Sequence, residues 1–140
     1  MSISLILSAE SNDETPLFKT IADLMERGCP VLVVTQKPWN GPLIPLKNPL
    51  HFYMLNFVYP QNLNHYIAAL LFKAPHSAVI VDYFYKEISS TQFTKILSTS
   101  SELAFSNPPE YPVILRCRGP IFNDMDINHL KRWTNNVQIY

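Results

Sequence analysis

Two stretches, PVLVVT at residues 30–35 and SAVIVD at residues 77–82, are nearly unbroken runs of apolar and β-branched side chains. A strand with one wet face alternates apolar and polar residues. An unbroken run marks a strand covered on both faces, as in a parallel sheet flanked by helices. Between such runs lie segments with helical spacing. Leu17, Ile21, Leu24 and Met25 share one face of a predicted helix over 16–27, with Thr15 placed to cap it, Pro16 in its first turn and Gly28 at its end. Leu63, Ile67, Leu70 and Leu71 do the same over 62–73, with Tyr66 beside them. Ser89 and Gln92 form an S-x-x-Q capping box that opens a third helix, running to about Phe105. Further strands are predicted over 2–7, 50–60 and 113–117, with a short helix over 126–133 and a last strand at 136–140. The proline-rich stretches KPWNGPLIPLKNP and SNPPEYP read as loops. Strands alternating with helices imply βαβ crossovers, so the expected class is α/β, with a mostly parallel sheet and helices on both faces.

The chain's 140 residues suit one domain. Its composition is 47% hydrophobic and 16% charged, which is globular and leaves apolar surface for a partner to cover. Eleven Lys+Arg balance eleven Asp+Glu, so any contact with nucleic acid must be local. Cys29 and Cys117 are read as buried reduced thiols, and the four histidines have no metal spacing, so neither a metal nor a cofactor is expected. The first apolar run is short and lacks a basic flank, and no stretch reaches the ~18–20 apolar residues of a membrane span. The expected location is the cytosol or nucleus, with no membrane partner.

The turn LSAESNDETPL, residues 7–17, lies between the first strand and the first helix, where many α/β proteins hold phosphate. Laid over a phosphate loop, Ser8 takes the first glycine, Asp13 the second, Glu14 the lysine and Thr15 the hydroxyl. The chemistry is inverted. Glu10, Asp13 and Glu14 would repel a triphosphate by several kcal/mol, and without glycine the backbone does not readily form an anion nest. The same residues also suit an ordinary helix start, with Asp13 and Glu14 answering the N-terminal dipole. Asp82, at the end of an apolar run, matches the Walker B aspartate that holds Mg²⁺ through water. It also suits a simple loop cap.

Taken together in order and spacing, these stretches resemble the RecA/RadA-type recombinase core. More closely, the chain resembles the small divergent recombinase paralogues of Shu-type and worm recombinase-paralogue complexes. The resemblance is carried by LILSAESNDETPLFKTIADLMERGCPVLVVTQKP, LHFYMLNFVYPQNLNHYIAALL, HSAVIVDYF and HLKRWTNNVQIY, nearly the whole chain. It implies a single reduced, P-loop-NTPase-derived core without the family's N-terminal DNA-binding domain. It carries Thr15 to the P-loop hydroxyl and Asp82 to the Walker B carboxylate. Glu14 stands where the lysine belongs, and Gln36 and Lys37 stand where the catalytic glutamate is sought, so ATP hydrolysis is not expected.

By the same resemblance, the chain is expected to be a non-catalytic nuclear subunit in homologous recombination and DNA repair. It would form an obligate heterodimer with a second paralogue and assist a recombinase filament on single-stranded DNA. The alternative is a pseudo-ATPase scaffold in an unrelated assembly. The family's DNA-facing loops follow the fourth and fifth strands, here YFYKEISS and RCRGPIFND. Lys86, Arg116 and Arg118 are therefore candidates for phosphate contacts, and Tyr83, Phe84 and Tyr85 for base stacking or for packing in the core or on a partner. Trp39 is a candidate partner anchor, or a cover for the domain's own core.

Overall fold

The computed structural model describes residues 3–9, 15–39, 51–84, 90–119, 128, 130–134 and 136–139. Six strands, β1 (Ser4–Ala9), β2 (Val31–Thr35), β3 (Leu55–Val58), β4 (Ala78–Phe84), β5 (Val113–Gly119) and β6 (Val137–Ile139), form one sheet. Its order is β3-β2-β4-β5-β1-β6 and every described pairing is parallel. The helices are α1 (Thr15–Glu26), the single turn α2 (His51–Met54), α3 (Leu63–Leu70) and α4 (Ser90–Ser106). This is the expected α/β class, consistent with a reduced RecA-like core.

Side chains alternate across the sheet and divide the core in two. On one face, Leu17, Ile21, Leu24 and Met25 of α1 pack on Ile6, Val31, Val33, Ala78, Ile80 and Ile114. On the other, Leu63 and Ile67 of α3 with Ile96, Leu97 and Leu103 of α4 cover Leu5, Val34, Val79, Val81, Val113 and Leu115. β4 and β5 are buried at every position, as their apolar runs require. Cys29 belongs to the first cluster and Cys117 to the second, and both are buried free thiols. Among the described residues no helix is long and apolar enough to cross a membrane.

Helix ends follow local chemistry. Asn62 caps α3, its Oδ1 accepting from His65 N at 3.0 Å. α3 stops at Leu70, short of the expected 73. The next amides turn back three residues, Leu71 N to Ala68 O and Phe72 N to Ala69 O, as the chain tightens ahead of Pro75. α1 ends in a Schellman motif: Gly28 takes φ 81°, its N–H bonds Met25 O at 3.0 Å, and Cys29 N bonds Leu24 O at 3.0 Å.

Three sequence expectations need correction. The apolar stretch 50–60 is not all strand: α2 precedes a four-residue β3, because a short apolar run does not by itself distinguish helix from strand. Asp82 does not end its strand, which continues through Tyr83 and Phe84. The fifth strand continues past Cys117 to Gly119, taking in Arg118, which the sequence pattern places in a loop. The last two corrections share a cause, since charged residues in the middle of these strands are neutralised across the sheet. Ser89 lies outside the described residues. Of the short helix expected at 126–133, residues 128 and 130 are helical and 131–133 form a turn.

Candidate functional site

The strand order locates a crevice. From β1 the chain crosses towards β2, past β5 and β4; from β5 it crosses the opposite way, past β1, to β6. Neighbouring strands whose connections leave to opposite faces of the sheet in this way form a topological switch point, and open α/β sheets bind ligands there, beyond the carboxyl ends of the strands. Here the flanking positions are Ser8 of β1 and Arg118 of β5, which are direct partners in register. Asp82 of β4 lies opposite Arg116, and Phe84 lies opposite Arg118. With side chains alternating, Ser8, Asp82, Phe84, Arg116 and Arg118 all project to the face that carries α1.

Asp82, Arg116 and Arg118 are each 1% exposed. Arg118 grips Asp82 as a two-pronged fork, Nε to Oδ1 at 2.9 Å and Nη2 to Oδ2. Trp39 adds a third donor, Nε1 to Oδ2 at 2.9 Å. The indole is held in place by Phe57, edge-on at 5.2 Å, and by Phe18 at 5.8 Å. Arg116 Nε donates to Ser8 Oγ at 3.3 Å. Phe84 lies between two cations, with Lys37 Nζ 4.9 Å and Arg118 Cζ 5.0 Å from its ring centre. Gln36, just past β2, accepts from Phe84 N at 2.8 Å and so ties the ends of β2 and β4 together. On the opposite face, burial pushes the Cys117 thiol up to about 12, with the Asp82 charge adding to the rise and a hydrogen bond with Tyr83 opposing it.

Chemically this is a closed ion pair. Both Asp82 oxygens accept charge-assisted or indole hydrogen bonds, and the guanidinium already neutralises the carboxylate charge that would attract a hydrated cation. For Asp82 to hold Mg²⁺ through water, Arg118 would have to leave and take an unpaired charge through a buried site. Among the described residues no group of three or more His, Cys, Asp or Glu is arranged to hold a metal ion.

The structure therefore brings Ser8, Asp82, Phe84, Arg116, Arg118 and Trp39 into one cluster. Arg116 and Arg118, expected in a DNA-facing loop, are instead buried in the sheet. Tyr83 is fully buried on the α3/α4 face, its ring 6.1 Å from Phe93. Trp39 covers its own domain's core. Thr15 is the first residue of α1. Asp13, Glu14, Tyr85 and Lys86 lie outside the described residues. The Asp82–Arg118 pairing was not foreseen. Its signal was present as ILRCRG, with two arginines at alternate positions of an apolar run and hence on one face of a strand. The chain matches no known family model and no curated protein sequence.

Proposed function

We propose that this chain is a non-catalytic, RecA-like paralogue subunit. It pairs with a second recombinase paralogue and assists a recombinase filament on single-stranded DNA in recombinational repair in the nucleus. The observation that carries the non-catalytic part is the state of Asp82, the residue matched to the Walker B position. Its carboxylate is bound by Arg118 and Trp39, so the site at the switch point is filled by the chain's own side chains. The α/β architecture, the acidic turn after β1 and the Gln36 and Lys37 that follow β2 support the same reading. The recombinase partnership rests on the sequence resemblance.

Co-expression with candidate recombinase paralogues, followed by affinity purification and identification of the bound chains, tests the partnership. A stoichiometric recombinase paralogue is the expected result. Recovery of a stable assembly with no DNA-processing component would reject it in favour of a pseudo-ATPase scaffold elsewhere. Calorimetric titration of the isolated chain with Mg-ATP should give no micromolar binding, and micromolar binding would overturn the account of the filled site.

A further inference from the structure

A small recess opens on the face of the sheet opposite Asp82 and Arg118. It lies past the carboxyl ends of β2 and β3, where α3 and α4 begin. Its volume is about 120 Å³, and the carboxamides of Gln36, Gln61, Asn62, Asn64 and Gln92 make up most of its lining. Among the described residues that line it there is no Lys, Arg, Asp or Glu, and the first turn of α3 holds no acid.

What a carboxamide offers a ligand depends on which end is already engaged. Gln36 Oε1 accepts from Phe84 N at 2.8 Å, and Asn62 Oδ1 accepts from His65 N at 3.0 Å. A backbone N–H is met by the oxygen end alone, so these two bonds fix both orientations. Asn64 Oδ1 accepts from Thr99 Oγ1 at 2.9 Å. The three oxygens thus serve the fold: one joins β4 to the end of β2, one caps α3, and one links α3 to α4. The three NH₂ groups remain, each with two N–H donors, and no described residue accepts from them. Gln36 and Asn64 are half-buried, so these donors stand in the wall of the recess and not at the tips of free side chains.

Donors gathered without a charge call for a ligand group that only accepts. An ionised carboxylate has two oxygens, about four lone-pair sites and no proton of its own to place. Its charge makes each N–H···O bond roughly twice as strong as a neutral one. Phosphate suits the recess less well, because its further charge is ordinarily met by the arginine or lysine that this lining lacks. The volume lies well below the roughly 300 Å³ at which sites for drug-sized ligands begin, which admits a short acid and leaves out a nucleotide. We propose that the Gln36–Asn62–Asn64 recess binds a small organic carboxylate, whose oxygens accept from the three NH₂ groups.

The fixed orientations supply a test that spares the fold. Gln36→Glu, Asn62→Asp and Asn64→Asp each keep the bonded oxygen and exchange only the NH₂ for a second oxygen, and aspartate caps a helix about as well as asparagine. Acetate and glutarate are titrated into the isotope-labelled full chain at constant ionic strength and neutral pH, with the side-chain NH₂ signals followed by NMR; the backbone spectrum confirms that each variant folds. Expected are saturable shifts shared by the Gln36, Asn62 and Asn64 signals, an affinity about ten- to hundredfold weaker in each variant, and weaker binding of inorganic phosphate. Shifts that saturate alike in wild type and in Gln36→Glu and Asn62→Asp place the acid elsewhere and overturn the inference. So does the absence of a saturable shift up to about 100 mM acid, which is too weak to count as a site. Phosphate binding tighter than either acid overturns the choice of carboxylate. The recess needs no recombinase partner, and each of these outcomes leaves that partnership untouched.

Discussion

The buried Asp82 and Arg118 oblige each other, since neither charge is stable in the sheet alone. Removing one partner of a buried pair leaves an uncompensated charge and costs about 3–5 kcal/mol, whereas replacing both with apolar residues is often close to neutral. Asp82→Ala should therefore lose about 3–5 kcal/mol in urea unfolding. Asp82→Leu with Arg118→Met should recover the larger part, the remaining deficit coming from the unpaired Trp39 N–H. A double variant no better than the single would mean that the pair is not the stabilising unit. Cys117 gives a pH signature. Its ordinary value is 9.0 and burial raises it to about 12 in the folded chain. Below about 9 both states keep the proton; between about 9 and about 12 only the unfolded thiol loses it, so the unfolded state gains. Stability should fall by about 1.4 kcal/mol per pH unit across that window. Cys117→Ala should show a slope smaller by that amount, and equal slopes in the two proteins would contradict the assignment.

The elements differ in how plainly the sequence announces them. α1, β2 and β4 follow from patterns a single segment contains: a helical stripe with its cap and stop, and β-branched runs with no polar alternation. Gly28 belongs to that local grammar. A side chain there would meet nothing within 4 Å, so the cost of Gly28→Ala is conformational alone, about 1 kcal/mol for left-handed backbone. Urea denaturation measures it, and a neutral result would show that the end of α1 rearranges freely. The reach of β4 and β5 was not legible in this way. Asp82, Arg116 and Arg118 look like loop residues until the register puts them side by side, and register depends on sequence more than thirty residues distant. The same limit hid the site. Its polar residues come from β1, β4, β5 and the segment after β2, and no local pattern says that they meet.

For the molecule as a whole, the sheet's interior is its most protected part. β4 and β5 are buried throughout, whereas β3 and β6 are the outermost strands and only four and three residues long. Hydrogen exchange should rank β4 and β5 slowest, near the global unfolding limit, with β3 and β6 opening first. A heterodimer partner that adds to either edge should slow that edge selectively, and uniform protection on complex formation would place the contact elsewhere. The strand order also sets a schedule. β1 is synthesised first, yet Ser4 pairs with Ile114 and Leu5 with Val137. At about 5–20 residues per second, an apolar segment leaves the ribosome and waits on the order of 5–20 s for its first neighbour to be made. During that interval a sticky strand has no place in any sheet. A sheet of this topology depends on whatever shields β1 until β5 and β6 have been made.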